Sequence, residues 1–262
     1  MAKPTIVFIH GLWIHASSWE SWMEFFKQKG YDSLNPGWPG DGPTVDACHK
    51  NPEPIANRGV KEVADNYEKI ISTLHAPPIL IGHSFGGLLT QILLGRGVAA
   101  AGIAIDPAPI KGVWQLPFSA LKSSLPVLAN PFNLKKAISL SFAQFRYAFA
   151  NAVPEPEAHE LYEKLTIPAP AKPLFQAATA SFAGSETKVN TGNINRGPLL
   201  ITGGEKDHIA PPILGRASAG KYNKSVVTDF KLFAERGHSL ASDHGWREIA
   251  DYSLNWLNQR GF

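Results

Sequence analysis

Ile79-Leu-Ile81, then Gly82-His-Ser-Phe-Gly-Gly87, then Leu88-Leu-Thr-Gln-Ile-Leu-Leu94 is the stretch that decides the fold. The aliphatic triplet after Pro77-Pro78 reads as a buried strand, and the apolar run beyond Gly87 as a buried helix ending around Gly95. Between them, Gly82-His83-Ser84-Phe85-Gly86 matches Gly-x-Ser-x-Gly. The pattern alone is weak, because two glycines and a serine at fixed spacing recur by chance; the strand before it and the helix after it give it meaning. In so tight a turn the serine backbone is strained, and glycine at each flank leaves room where a Cβ would clash. Such a turn lifts the Ser84 hydroxyl off the carboxyl end of a sheet, where N–H groups opening the helix favour negative charge. The competing account is a plain glycine-rich connection with an ordinary serine.

Working outward, short aliphatic runs alternate with amphipathic stretches, the pattern of an α/β fold with a parallel sheet. Thr5–Ile9 is a strand ending in His10-Gly11, and Trp19, Trp22, Met23 and Phe26 follow at helical spacing up to Gly30. A weaker strand spans Tyr31–Asn35, and a helix buries Val60, Val63, Tyr67, Ile70, Ile71 and Leu74. Ala101–Ile105, Leu199–Ile201 and Val226–Phe233 complete a set of about six strands, and a last helix carries Trp246, Ile249, Ala250 and Trp256. The alternation disappears between Asp106 and about Asn195, where prolines are frequent. Leu134–Phe149 and Glu157–Leu165 read as helical there, and Phe132, Phe142, Phe145, Phe149 and Phe175 call for burial. Residues 1–106 and 196–262 are therefore expected to form the core, with 107–195 as a helical cap inserted after the fourth strand.

Composition narrows the class. A chain of 262 residues with 44% apolar and 18% charged residues has enough to bury a core, which excludes wholesale disorder. No apolar run approaches the roughly 18 to 20 residues that a membrane span needs. The apolar stretch at the amino terminus is too short for a signal peptide, so a cytoplasmic protein is expected. A single cysteine, Cys48, excludes an internal disulfide and a cysteine-based zinc site. The net charge of +3 comes from scattered residues without a basic run, against a nucleic-acid partner. No P-loop, dinucleotide fingerprint or His-x-His-x-Asp-His run occurs, so neither a cofactor nor a metal is expected.

With the elbow at Ser84, His10-Gly11 after the first strand, an acid after a late strand and a histidine near the end, the chain resembles the α/β-hydrolase fold family. The landmarks keep the family order over the whole chain, and the proline-rich segment lies where that family keeps its cap. The resemblance implies that the strands correspond to the family's third to eighth, the antiparallel first pair being absent. It also implies a catalytic triad. A serine hydroxyl needs a base within hydrogen-bond reach, and His238, in the loop Phe233-Ala-Glu-Arg-Gly-His-Ser239, sits where the family's base does. Asp207, in the loop after Leu199–Ile201, has the spacing of the family's acid, which fixes the histidine tautomer and stabilises the imidazolium. Asp106, at the end of the fourth strand, is a rival for that role, and Glu205 a weaker one. The resemblance points to the backbone N–H groups of Leu12 and Phe85 as the oxyanion hole, with Trp13 a one-residue alternative. His10 reads as a brace for its loop, and His15 and Trp38 as candidates for the pocket mouth.

A serine at the elbow argues against the dehalogenases and epoxide hydrolases of this fold, which place aspartate there. The expected function is hydrolysis of neutral, hydrophobic esters or lactones through an acyl-enzyme, an acyl-homoserine lactonase being a special case. Two alternatives stay open: a lyase or cofactor-free dioxygenase on the same scaffold, and a weakly catalytic small-molecule receptor.

Overall fold

The chain runs β1 (Ile6–Ile9), α1 (Glu20–Gln28), β2 (Ser33–Leu34), α2 (Val45–Lys50), α3 (Val60–Ile71), β3 (Ile79–His83), α4 (Phe85–Arg96) and β4 (Ala101–Ile105). A long segment then holds α5 (Phe118–Leu128), β5 (Ala137–Ile138), α6 (Phe142–Ala148), α7 (Glu155–Leu165), β6 (Ala169–Pro170) and α8 (Lys172–Ala178). Next come β7 (Leu199–Gly204), α9 (Pro212–Ala219), β8 (Thr228–Phe233) and α10 (Trp246–Asn258). The computed structural model describes residues 3–180 and 185–262; the first two residues of the amino-terminal stretch, and 181–184 within the expected cap, lie outside the described residues.

Six strands form one sheet in the order β2-β1-β3-β4-β7-β8, with every neighbouring pair parallel. The central strands read as unbroken apolar runs because helices cover both faces. Ile6, Phe8, Ile79, Ile81, Ile103 and Ile105 pack with α1 and α10, while Val7, Ile9, Leu80 and Ala104 share the other core with α3 and α4. The chain places β2 on one side of β1 and β3 on the other. That reversal opens a crevice at the carboxyl ends of β1 and β3, which carry Gly11 and Ser84.

Several boundaries differ from the sequence reading. α4 runs past Gly95 and stops at Gly97, whose φ of +81° suits the left-handed residue that ends a helix. β8 begins at Thr228 because Val226 closes a turn, its N–H on the Asn223 carbonyl and its own carbonyl on the Arg196 guanidinium. Leu134–Phe149 is helical only from Phe142, where Ser141 and Gln144 form a reciprocal cap. Ahead of it, β5 pairs antiparallel with β6. α7 starts two residues before the expected Glu157, with Glu155 and Glu157 in its first turn.

Phe145 and Phe149 are buried and Phe142 and Phe175 partly so, but Phe132 is 80% exposed, contrary to expectation. The one-turn helix Pro131–Asn133 directs Asn133 inward instead, where its amide donates to the Val127 carbonyl. The segment is tied to the β1 loop: Trp13 Nε1 donates to the Ile138 carbonyl at 2.9 Å, and Ile14 bridges to Thr166.

Candidate active site

Ser84 closes β3 with φ +57° and ψ −121°, a conformation that costs of order 1–3 kcal/mol for a residue with a side chain. Surrounding bonds over-determine it. Ser84 N–H donates to the Ile105 carbonyl, and the Ser84 carbonyl accepts from Gly87, Leu88 and Ala108. The turn also depends on backbone contacts closed to larger residues. A Cβ on Gly86 would lie 2.0 Å from the Ile9 carbonyl oxygen, and one on Gly11 would lie 2.7 Å from Ser84 Cβ. No side chain caps α4, and with Gly87 and Leu88 on the Ser84 carbonyl the N–H groups of Phe85 and Gly86 are the ones its first turn leaves without a backbone partner among the described residues.

His238 and Asp207 arrive from the loops after β8 and β7. His238 Nδ1 lies 2.6 Å from Asp207 Oδ2, with both side chains buried. The other Asp207 oxygen accepts from Ile209 N–H at 2.7 Å and Ala210 N–H at 2.9 Å. This bonding makes Nδ1 the protonated nitrogen of a neutral His238 and leaves Nε2 as the basic one. The His238 loop is locked by Asp243, which accepts from Ser239 Oγ and pairs with Arg236.

Asp106 does not reach His238 as its hydrogen-bond partner. It sits behind Asp207, at φ +41°, accepting from Gly204 N–H and from Thr202 Oγ1. Burial, the Asp207 charge and a hydrogen bond to Asp207 push its pKa well above the usual carboxylate range. Burial acts on Asp207 in the same direction, but the His238 charge and hydrogen bonds from His238, Asp106 and Ala210 outweigh it and lower its pKa. The pair therefore holds one proton and one negative charge, as expected for adjacent buried carboxyls. Glu205 takes no part in this cluster; it accepts the Glu235 N–H.

His83, the variable residue before Ser84, had no role in the sequence reading. Its Nε2–H donates to the His238 carbonyl at 2.9 Å, and the two rings lie 4.6 Å apart. Burial, and then the His238 charge, lower its pKa to about 3, so it is a neutral donor. It ties the histidine loop to the elbow. Its position inside the motif was the only available signal, since its partner lies 155 residues away. Phe149 packs edge-on against both rings. Among the described residues no hydrogen bond joins Ser84 Oγ to His238; such bonds are often long before substrate binds.

The loop after β1 is braced as expected of His10. Its Nε2 lies 2.9 Å from Asp41 Oδ2, and its carbonyl accepts from Trp38 Nε1. Leu12 is buried in the turn that follows, and Trp13 takes φ +65°. The Trp13 carbonyl accepts from Ile167 N–H, so the β4–β7 segment holds the loop that carries Leu12.

Ser84 and Phe85 open into a cavity of about 300 Å³ whose walls are largely aliphatic, including Leu116, Leu128, Leu174, Ile209 and Leu214. His15 and Trp38 do not line it: His15 bonds Ser17 and Gly42, and Trp38 packs on His10. The metal-ligand atoms of Asp106, Asp207 and His238 gather within 4.8 Å of one another. They are bonded to one another, His238 Nδ1 to Asp207 and Asp106 to Asp207.

A family model described as "Alpha/beta hydrolase family" matches residues 6–252. The chain is 28% identical over 169 residues to acyl-protein thioesterase 1 of Debaryomyces hansenii, covering 52% of this chain and 67% of that protein. A methylesterase from Arabidopsis superposes with a TM-score of 0.68 at 16% identity, covering 97% of this chain and 99% of that one. An extracellular α/β-hydrolase from a Paenibacillus species gives 0.69 at 20% identity, covering 96% and 98%. A monoacylglycerol lipase from Paleococcus ferrophilus gives 0.65 at 21%, covering 98% and 96%. At these identities the solved structures speak for the fold.

Proposed function

The chain belongs to the alpha/beta hydrolase family, and from that premise we propose a serine hydrolase of neutral, hydrophobic carboxylic esters, lactones included, acting through Ser84, His238 and Asp207. The observation that carries the proposal is the 2.6 Å contact of His238 Nδ1 with Asp207, packed against the strained turn that bears Ser84. Ser84 Oγ bonds to the ester carbonyl carbon as its proton passes to His238 Nε2. The carbonyl electron pair moves onto oxygen, which rests on the N–H groups of Leu12 and Phe85. Collapse breaks the bond to the alkoxide, which takes the proton back from Nε2. Water then attacks the acyl-enzyme by the same route, releasing the acid and restoring Ser84.

Asp207 holds the tautomer and stabilises the imidazolium. Asp106, kept neutral, donates to Asp207 without adding a second buried charge. The aliphatic cavity suits an acyl chain, each buried methylene contributing roughly 0.8 kcal/mol to binding. The likeness to a protein named as an acyl-protein thioesterase agrees with an acyl group in that position. In this reading residues 107–195 form the cap over the site. The setting is cytoplasmic, where buried Cys48 remains a thiol.

Turnover of p-nitrophenyl esters by Ser84→Ala, His238→Ala and the double variant tests the proposal. Each single change removes about 10⁴-fold or more of the rate, and the double variant is scarcely worse, because the residues act as a unit. Losses that multiply, or a Ser84→Ala enzyme that keeps its rate, contradict it.

A further inference from the structure

Of the eleven large hydrophobic side chains exposed among the described residues, seven fall between Trp114 and Leu134. Within α5, Phe118, Leu121 and Leu125 lie at i, i+3 and i+7 and are 77%, 51% and 48% exposed, so they form one stripe along the helix. Leu116 before the helix and Phe132 after it are 88% and 80% exposed. A cluster of large exposed apolar side chains of this kind marks an interaction site.

Charge identifies the partner. Residues 107–154 contain no Asp or Glu, whereas Lys111, Lys122, Lys135, Lys136 and Arg146 are all basic. The four lysines are exposed, and α6 and α8, which pack on α5, add no acidic residue. Two copies joined through this face would set like charges against each other. An anionic lipid surface instead accepts apolar side chains below its headgroups and lysines at them. The placement of the stripe agrees, because α5 also contributes Ala120, Leu121, Ser124 and Leu128 to the wall of the cavity that holds Ser84, so that Leu121 and Leu116 belong both to the exposed cluster and to the rim of that cavity.

We propose that α5 and its flanks, from Trp114 to Lys136, dock the protein peripherally on anionic phospholipid bilayers, with the mouth of the Ser84 cavity at the lipid surface. Docking adds a site of action to the hydrolase reading and does not depend on turnover, so it is read directly as binding.

The test is co-sedimentation with vesicles of phosphatidylcholine mixed with phosphatidylglycerol, and with vesicles of phosphatidylcholine alone, using both the wild-type chain and Ser84→Ala. Both proteins are expected to bind the anionic vesicles, to bind the neutral ones far less, and to be released by high salt. Phe118→Ser/Phe132→Ser and Lys135→Glu/Lys136→Glu each lower partitioning by about tenfold or more. Both leave hydrolysis of a soluble short-chain ester unchanged, which also reports that they fold. Absence of binding, equal binding to neutral vesicles, or full binding by either double variant overturns the proposal. So does a dimer in sedimentation equilibrium that Phe118→Ser/Phe132→Ser separates, since a second copy would then be the occupant.

Discussion

The carboxyl end of the sheet and the β4–β7 segment are built on opposite rules. At the sheet, Ser84, His83, Asp106, Asp207 and His238 are all at most 7% exposed, and carbonyls, amides or carboxylates fix most of their polar atoms. Gly86 has no room for even a methyl group. In the segment, large apolar side chains face solvent and the first 48 residues after Asp106 carry charge of one sign only. The contrast assigns different work to each region. Under the proposed function, a strained nucleophile and a buried charge pair persist only where packing holds them, while the apolar surface of the segment serves the ester and the proposed lipid contact.

The largest effect is expected at the sheet, where its two buried acids differ. Asp207→Asn leaves the wrong tautomer on His238 and lowers turnover about 10⁴-fold. Asp106→Asn still offers an N–H to Asp207, and lowers it by less than about tenfold. Steady-state kinetics on the two variants decide the question, and the reverse ranking would make Asp106 the working acid.

A second test bears on how tightly the core is locked. His83 is neutral in the fold, its pKa lowered to about 3, whereas in the unfolded chain it takes up a proton near 6.5. Its contribution is therefore complete above pH 6.5 and is lost as pH falls, by up to about 1.4 kcal/mol per pH unit down to about 3. Urea unfolding as a function of pH is expected to show this slope in the wild-type chain and a shallower one in His83→Gln. Equal slopes would mean that His83 is accessible to protons in the native state.

The smallest expected effect lies in the cavity wall. Leu174→Phe shortens the acyl chain the cavity accepts, with kcat/KM falling about fourfold for each methylene no longer buried. A series of p-nitrophenyl esters of increasing chain length reads this directly. An unchanged optimum would place the acyl group elsewhere.

The same contrast governs how much could be read from sequence. The elbow was legible because strand, turn and helix are adjacent in the chain, and the six-stranded parallel sheet followed from the alternation around it. The pairing of Asp207 with His238 was open to the resemblance but not to local pattern, since Asp106 offered a rival carboxyl. Which one meets the imidazole depends on loops contributed by separate strands. The His83 bond to the His238 carbonyl, and Asp41 as the partner of the His10 brace, were invisible for the same reason. In the segment the reading failed differently. β5 and β6 are two residues each, too short for any periodicity, and Phe132 was assigned inward by hydrophobicity although the turn buries Asn133.

Fluorophosphonate labelling of the native chain, mapped by peptide mass spectrometry, tests the central claim most directly. A single adduct on Ser84 is expected, formed rapidly by the wild-type protein and lost in a folded His238→Ala variant. A folded, ester-hydrolysing protein in which Ser84 remains unlabelled, or is labelled equally without His238, would contradict it.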